Sequence, residues 1–499
     1  MPPGCARVRG QWAYASATMS RFDPDPKSLR THPVPTWFED AKFGIFVHWS
    51  LSCIPAWAPR GGSLVDIVRA NPHAFQHLSP YAEWYWNALR IPGSPTAVHH
   101  AEVWGNVPYQ TFREPFDRML QSWDPGPWAD LFAKAGAQYV VDVTKHHDGF
   151  CLWPTSVRNP HERDWAATRD VVGDLASAVR ARGMRFGVYY SGGLDWTFEP
   201  RAMRGIADAT AAVPLDPAYE RYCDAQYREL IERYQPSVLW NDISYPPHDR
   251  ALWRLMADYY DAIPDGVVND RFIPSPRWLV KALRLPPAAS LLDAIAARVV
   301  RRTDFTLVPP RPPHFDFRTP EYASFPDAKS YKWEATRGIA HSFGMNDNED
   351  EANLLDPAEL VRSFVDTGSK NGNLLLNVGP TRDGVIHPRE ASRLEALGVW
   401  LKGNGDAIYA TRPWRRAEGT TREGIGVRFT TKGDATYAIL LATPQPGDLR
   451  LRDFPVRTDT VKLLGHGPLA ARAEGTDLVV AWPAEVAPAP AYALACESA

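Results

Sequence analysis

An aspartate that closes an apolar run carries the strongest chemical signal in this sequence. The run 237–240 leads directly into Asn241 and Asp242. If the run is a buried parallel strand, the Asp242 carboxylate projects from the carboxyl end of that strand. A carboxylate in that place can attack the anomeric carbon of a sugar and form a covalent glycosyl-enzyme, which water later releases. The local residues alone support equally well the alternative that Asp242 caps a helix.

Such chemistry needs a second carboxyl group with a raised pKa, which protonates the leaving oxygen and later deprotonates water. Three glutamates lie beside aromatic residues, whose surroundings would desolvate a carboxyl group and raise its pKa. They are Glu83, Glu321 and Glu334. The sequence gives no distance between carboxyl groups, so these residues alone leave the choice among the three open.

Polar side chains follow five apolar runs of the chain. The five clusters are His48 with Trp49, 145–148, Tyr190 with Ser191, Asn241 with Asp242, and 269–271. In a (β/α)₈ barrel the carboxyl ends of the strands build the active site. A helix cap explains any one cluster, but it is a poor explanation for all five together.

The adjacent histidines His146 and His147 are predicted to bind a ligand through hydrogen bonds. Neighbouring residues at the end of a strand point to different sides, so the pair is poorly suited to hold one metal ion. No zinc-binding spacing lies nearby in the sequence. We therefore expect both imidazoles to contact sugar hydroxyl groups and expect no metal.

The order of elements predicts an α/β fold, a (β/α)₈-like (TIM-type) barrel followed by a small C-terminal antiparallel β-sandwich domain. Short apolar runs alternate with helical stretches across 31–404, which predicts parallel strands and crossover helices. The Pro- and Arg-rich stretch 274–313 interrupts this rhythm and is predicted to be an insertion near the site. Short strands and turn residues over 405–499 predict the β-domain. Residues 1–30 are predicted to be a disordered extension, and Met19 is an alternative start.

Composition excludes several classes of partner. The 499 residues carry a formal net charge of -3, which gives no reason to expect nucleic acid or an anionic membrane. The sequence shows neither a run of membrane-spanning length nor a secretory signal, so we expect a cytoplasmic protein.

The five scattered cysteines argue against a disulfide framework. The 19 tryptophans suit a protein that stacks aromatic rings on sugars.

These motifs resemble those of the α-L-fucosidases of glycoside hydrolase family 29. The resembling blocks occur in the order of that family and cover roughly 37–410. They are 43–49 with 55–57, 83–85, 145–150, 187–191, 240–242, 269–271, 319–322 and 370–380. One block alone would be a weak signal, whereas the ordered set is highly specific.

The resemblance implies a retaining exo-glycosidase that acts on terminal α-L-fucosides of a glycan or glycoside, without metal or cofactor. It assigns Asp242 as the nucleophile and Glu321 as the general acid/base. The residues that match positions expected to hold the fucose hydroxyl groups are His48, Glu83, Trp84, His146, His147, Tyr190 and Arg271. A 6-deoxy sugar also presents a methyl group, and Trp49 and Phe343 are predicted to form an aromatic wall for it.

Two departures from the family pattern bear on substrate preference more than on reaction class. Ser50 replaces a usual glycine, and 342–345 stands where the family usually has a Trp-Gly-Tyr type segment. One alternative is a related exo-glycosidase that acts on an α-L-galactoside, since an apolar pocket rejects an added hydroxyl group only about 100-fold. Another is an inactive carbohydrate-binding homologue. The sequence leaves a homo-oligomer open.

Overall fold

Eight parallel strands form the sheet at the centre of the protein. The structure, a computed structural model, describes residues 20–71, 74–247, 249–301 and 308–498. The strands are β1 Phe43–Val47, β2 Tyr139–Lys145, β3 Arg185–Ser191, β4 Val238–Asp242, β5 Val267–Val268, β6 Phe317–Arg318, β7 Lys332–Gly338 and β8 Gly372–Val378. Their order is β5-β4-β3-β2-β1-β8-β7-β6, and a single bridge between Asn269 and Phe317 links its two ends. The sheet is therefore a nearly closed barrel, which confirms the predicted fold class.

Helices connect and cover these strands. They are α1 Pro26–Leu29, α2 Thr36–Ala41, α3 Leu64–Ala70, α4 Tyr85–Leu89, α5 Pro95–Trp104, α6 Arg113–Leu120, α7 Gly126–Lys134, α8 Val171–Arg180, α9 Ile206–Ala211, α10 Pro217–Tyr234, α11 Asp249–Ala262, α12 Arg277–Leu283, α13 Pro286–Val300, α14 Pro357–Ser369 and α15 Pro388–Asn404. Aspartates begin several of them: the carboxylates of Asp170, Asp216 and Asp356 accept from backbone N–H groups of the first turn. Such caps satisfy donors that a helix leaves unpaired.

The strands form because both of their faces are buried. Every residue of β1, β2, β4 and β8 is buried, as expected for parallel strands between a filled interior and a layer of helices. Along β4, successive side chains point alternately into the barrel interior and towards the surrounding helices. The Trp240 side chain fills the interior, where its ring lies 5.1 Å from that of Phe46 and 5.4 Å from that of Tyr189.

Glu334 of β7 lies in the middle of the barrel interior and is completely buried. Its carboxyl group accepts hydrogen bonds from the Tyr139 hydroxyl and, at 3.1 Å, from the Trp240 indole N–H. Burial disfavours the charged form and raises the pKa of Glu334 to about 7. This glutamate, one of the three candidate acids, is part of the filling of the barrel.

A buried ion pair joins the end of β2 to the loop after β3. Lys145 Nζ lies 2.7 Å from Asp195 Oδ2, and neither side chain is exposed. The ammonium group also lies over the Tyr190 ring, 4.4 Å from its centroid. This pair fixes the loop after β3 against the loop that carries His146 and His147.

Two antiparallel sheets follow the barrel. Their strands are β9 Arg412–Thr420, β10 Gly426–Lys432, β11 Ala435–Leu440, β12 Gly447–Leu451, β13 Lys462–Leu463, β14 Gly467–Pro468, β15 Ala471–Glu474, β16 Asp477–Trp482 and β17 Tyr492–Glu497. Six form the sheet β14-β13-β17-β11-β10-β9 and three form β12-β16-β15, with a shared apolar core. The barrel contacts them through the Trp400 indole N–H, which donates to the Ala491 carbonyl at 2.9 Å. The start of this unit at residue 405 stays a prediction.

The interrupting stretch 274–313 contains α12 and α13, which pack against α9. Of the predicted N-terminal extension, residues 1–19 lie outside the described residues, while α1 packs on α11.

Cys53, Cys151, Cys223 and Cys496 are buried thiols without a disulfide. Across the described ranges, no helix is long and apolar enough to cross a membrane.

The substitution Lys145→Met should destabilise the protein strongly, because it leaves the Asp195 carboxylate buried without its partner. We expect a loss of about 3–5 kcal/mol in the free energy of unfolding. Arg382→Met is the control: Arg382 pairs with Asp347 at the surface, and such exposed pairs contribute only about 0–1 kcal/mol. Chemical denaturation of both variants is the measurement. Equal losses in the two variants would contradict a structural role for the buried pair.

The substitution Glu334→Gln should change how stability depends on pH. The pKa of Glu334 rises from its ordinary 4.5 to about 7 in the folded protein. The folded state therefore binds this proton more tightly, and the wild type loses stability as pH rises from 4.5 towards 7. The glutamine variant lacks this loss, so its melting temperature relative to wild type should rise between pH 5 and pH 8. The change is at most about 3 kcal/mol. Glu395→Gln is the control, because Glu395 is an exposed residue of α15. If the difference between Glu334→Gln and the wild type did not change with pH, the raised pKa of Glu334 would be refuted.

Candidate active site

A cavity of about 170 Å³ opens at the carboxyl end of the barrel. Sites for drug-sized ligands usually have about 300–1,000 Å³, so this space suits a single monosaccharide unit better. The predicted residues that line it are His48, Glu83, Trp84, His146, Asp242, Arg271, Glu321 and Phe343. The structure thus brings together eight of the eleven predicted site residues.

Asp242 ends β4 and is held by three donors. The Tyr189 hydroxyl donates to its Oδ2 at 2.8 Å, and Arg271 Nη1 donates to its Oδ1 at 2.8 Å. The backbone N–H of Ile243 donates to the same Oδ1 at 2.9 Å. These bonds fix the carboxylate at the base of the cavity, where it can act as a nucleophile.

Glu321 follows β6 and lies on the same cavity. The Tyr81 hydroxyl donates to its Oε1 at 3.0 Å, and Arg271 Nη2 donates to its Oε2 at 3.1 Å. Arg271 therefore contacts both carboxylates through its two terminal nitrogens. Its own position is fixed by Thr319, whose Oγ1 accepts from Nε at 3.0 Å. Its guanidinium carbon lies 4.7 Å from the centroid of the Trp240 ring, against which it packs.

Two uncharged histidines face the cavity. His48 Nδ1 donates to Asn377 Oδ1 at 2.5 Å, which leaves its Nε2 as an acceptor. Burial lowers the pKa of His48 to about 4 and lowers that of His146 far below its ordinary value. Within the described ranges, His146 Nδ1 is buried without a hydrogen-bond partner. Both rings therefore offer polar atoms that a hydroxylated ligand can satisfy.

Glu83 and Phe343 form another wall of the cavity. Glu83 Oε2 accepts from the backbone N–H of Gly344 at 2.8 Å, and burial raises the pKa of Glu83 to about 7. The Phe343 ring lies 5.0 Å from that of His48. Its carbonyl accepts from Asn377 Nδ2 at 2.6 Å. The segment 342–345, which departs from the family pattern, thus positions both the carboxyl group and the aromatic ring.

Trp49, Tyr190 and His147 do not line this cavity. Trp49 packs between Phe116, Trp123 and Trp128 outside the barrel, and its indole N–H donates to the Thr381 carbonyl at 3.1 Å. Tyr190 points outwards as well, where its hydroxyl donates to Gln226 at 2.7 Å. His147 lies behind the site: its Nδ1 bonds Ser191 at 2.6 Å and its Nε2 lies 3.7 Å from Asp242 Oδ2.

Among the lining residues that sequence reasoning missed are Phe46, Tyr81, Tyr189 and Trp240. The alternation of strand side chains could have found two of them. Counting back two residues from Asp242 gives Trp240 on the inward face, and Tyr189 is its partner in the neighbouring strand. Tyr81 lies in a loop, so no such count applies to it.

Comparisons with known proteins agree with this geometry. A family model described as alpha-L-fucosidase matches residues 11–406. Bovine tissue alpha-L-fucosidase is 32% identical over 89% of this chain and 82% of its own length. The Thermotoga maritima alpha-fucosidase, solved in complex with a mechanism-based inhibitor, is 40% identical with a TM-score of 0.80, covering 96% of this chain and 100% of that chain. The same protein solved with fucose is 39% identical with a TM-score of 0.78, covering 95% and 100%.

The family model spans well over half of the sequence, and the aligned relatives extend through both the barrel and the β-domain. The resemblance drawn from the motifs is confirmed by these matches. The chain belongs to the α-L-fucosidase family of glycoside hydrolases, family 29.

Proposed function

We propose that the protein hydrolyses terminal α-L-fucosides with net retention, using Asp242 as the nucleophile and Glu321 as the general acid/base. One observation carries this proposal: the two carboxyl groups accept from Nη1 and Nη2 of the same guanidinium group, that of Arg271, at 2.8 and 3.1 Å. A shared arginine holds the two groups as near neighbours. Retaining glycosidases keep their carboxyl groups about 5–5.5 Å apart, closer than inverting enzymes do.

In the first half-reaction, a carboxylate oxygen of Asp242 forms a bond to the anomeric carbon of fucose. The bond between that carbon and the leaving oxygen breaks, and Glu321 transfers its proton to the leaving oxygen. Arg271 contacts both groups, so its charge stabilises the carboxylate that Glu321 becomes as Asp242 is neutralised. The Tyr189 hydroxyl keeps Asp242 oriented throughout.

In the second half-reaction, a water molecule takes the place of the leaving group. Glu321 accepts a proton from the water as its oxygen bonds to the anomeric carbon, and the ester bond to Asp242 breaks. This step restores the carboxylate of Asp242 and the acid form of Glu321. The Tyr81 hydroxyl, 3.0 Å from Glu321 Oε1, orients this carboxyl group in both steps.

The cavity wall offers groups for each face of fucose. His48 and His146 are uncharged and present acceptor atoms for hydroxyl groups, and Glu83 and Trp84 add further polar atoms. Phe343 supplies an apolar surface for the methyl group. The Thermotoga relative that was solved with fucose supports this ligand.

The surroundings of the three candidate acids favour Glu321 for proton transfer. Glu334 is enclosed by Tyr139 and Trp240 and does not line the cavity. Glu83 lines the cavity, but its carboxyl group accepts from Ser342 and Gly344 rather than from Arg271. Glu321 alone among them shares a cation with the proposed nucleophile.

The substitution Asp242→Ala should lower the turnover of p-nitrophenyl α-L-fucoside by on the order of a thousandfold or more, because no nucleophile remains. Added azide is small enough to enter the vacated space and should restore turnover, giving the inverted β-fucosyl azide. Product stereochemistry by NMR is the measurement. Rescue that yields the α-azide would exclude Asp242 as the nucleophile.

The substitution Glu321→Ala should separate substrates by their leaving groups. A nitrophenolate leaves without protonation, whereas the oxygen of a sugar aglycone requires it. We expect a loss in kcat/KM at least about tenfold larger for a fucosyl disaccharide than for the nitrophenyl fucoside. With azide, this variant should give the retained α-fucosyl azide. Glu83→Ala is the matched comparison. If Glu83→Ala and not Glu321→Ala showed this dependence on the leaving group, Glu83 would be the general acid/base.

A further inference from the structure

A second, larger cavity lies beside the active site at the same end of the barrel. It has a volume of about 540 Å³, and its wall includes Ser63, Asp66, Tyr322, Arg337, His341 and Glu359. These residues come from the start of α3, the loop after β6, the end of β7 with the loop that follows it, and the start of α14. Nothing in the proposed reaction uses them, so the cavity requires a separate explanation.

The two cavities share two walls. Glu321 lines the first cavity and Tyr322 the second, and the Tyr322 ring lies 5.5 Å from that of Phe343 in the first. On the other side, Leu64 lines the first cavity while its neighbour Ser63 lines the second. A group held beside Glu321 in the first cavity therefore lies next to the wall that the two cavities share.

The backbone at Tyr322 produces this arrangement. Its φ angle is +47°, a left-handed conformation that a bulky residue rarely adopts. The Tyr322 hydroxyl holds the turn by donating to the His341 carbonyl at 2.9 Å and accepting from the Gly338 N–H at 3.1 Å. The turn allows consecutive side chains to face adjacent cavities, and strain of this kind concentrates at ligand sites.

Arg337 gives the second cavity its chemical character. It is a partly buried residue at the end of β7. Its side chain lines the second cavity, whereas the side chain of the preceding residue, Thr336, points to the other face of the strand and lines the first cavity. Its Nε donates to the Gly338 carbonyl at 3.4 Å, and no carboxylate among the described residues lies within ion-pair distance of its guanidinium group. Burial lowers the pKa of Arg337, as expected for a cation that lacks a close counter-ion.

Among the described residues, none of the acidic groups of this wall forms an ion pair with Arg337. The Asp66 carboxylate accepts from the Ser63 hydroxyl at 2.7 Å and pairs with Arg69 at 3.8 Å. Glu359 is exposed to solvent, and from beyond ion-pair distance its charge only partly offsets the effect of burial on the pKa of Arg337. His341 Nδ1 is buried without a hydrogen-bond partner in the described part of the chain. The backbone carbonyl of Gly61 accepts from the other ring nitrogen of His341, so Nδ1 of the uncharged ring is an acceptor. The donors that a ligand with acceptor oxygens would satisfy in this wall are therefore those of Arg337.

We propose that the second cavity is a leaving-group subsite that binds an anionic substituent, a carboxylate or a sulfate ester, on the sugar chain that carries the fucose. Arg337 is the residue that binds the anion, since a guanidinium group matches planar or tetrahedral oxyanions with paired donors. This inference rests on the proposed function, because it places the leaving group beside Glu321. It makes the protein selective for acidic fucosylated glycans.

The test compares matched substrates in matched variants. One substrate is a fucosylated oligosaccharide with a carboxylate on the sugar next to fucose, and its partner is the methyl ester. A second pair carries a sulfate ester or the corresponding hydroxyl group. The wild type should show a kcat/KM at least about tenfold higher for either anion than for its neutral counterpart, mainly through KM.

Arg337→Gln should abolish that ratio, and Arg337→Lys should keep part of it, because lysine retains the charge but not the paired donors. Arg382→Gln, which changes an exposed arginine outside both cavities, should keep the wild-type ratio. The neutral substrate serves as the internal reference for each variant. Equal kcat/KM values for anionic and neutral substrates in the wild type, or an unchanged ratio in Arg337→Gln, would overturn the proposal.

A binding measurement separates this proposal from the catalytic one. The oligosaccharides without fucose are titrated into the wild type and Arg337→Gln by calorimetry. Anion-dependent binding that Arg337→Gln loses supports the subsite even if p-nitrophenyl α-L-fucoside is not hydrolysed, an outcome that would defeat only the proposed function. Absence of anion-dependent binding overturns the subsite, whatever the turnover of that substrate.

Discussion

The active site depends on one arginine that lies between two carboxyl groups in a small cavity. Two carboxyl groups held this close repel each other whenever both are ionised, and even one buried carboxylate is costly to remove from water, so the pair requires a cation with suitable geometry. Arg271 meets this need because its two terminal nitrogens point to Asp242 and Glu321 while Nε is fixed by Thr319. Its guanidinium group also packs on the Trp240 ring, a contact that restricts its orientation.

The preceding residue shows how the barrel positions this arginine. Asp270 does not enter the cavity, and its carboxyl group accepts instead from Thr319 at 2.6 Å and from Arg318. These bonds tie the end of β5 to β6, where the sheet itself is joined by a single bridge. Asp270 thus closes the weak point of the barrel, and Arg271 uses the resulting rigid position to organise the chemistry.

Residues at strand ends were the part of the site that the sequence predicts best. Asp242, His48 and Arg271 each follow an apolar run, and the parallel sheet brings such positions together at one edge. Which neighbour faces inwards was less predictable. Tyr189 rather than Tyr190 lines the cavity, because β3 pairs Tyr189 with the inward Trp240.

Contacts made by loops escaped prediction for a different reason. The bond from Tyr81 to Glu321 joins residues 240 positions apart, and no local pattern encodes it. Irregularities also defeat simple counting: the pairing of β2 with β3 shifts between Val143 and Lys145, just before His146 and His147. A shift of one residue exchanges the two faces of a strand, so sequence alternation fails at that point.

The position of the first strand constrains how the chain assembles. β1 pairs with β2 on one side and with β8 on the other, so Phe43 finds its partner Leu374 only after nearly the whole barrel has been synthesised. Until then, one edge of a wholly apolar strand is left without its hydrogen bonds, a condition that favours association between nascent chains. Contacts between residues so distant in sequence form slowly, so we expect the pairing of β8 with β1 to limit the folding rate. A chaperone would be most needed before this pairing has formed.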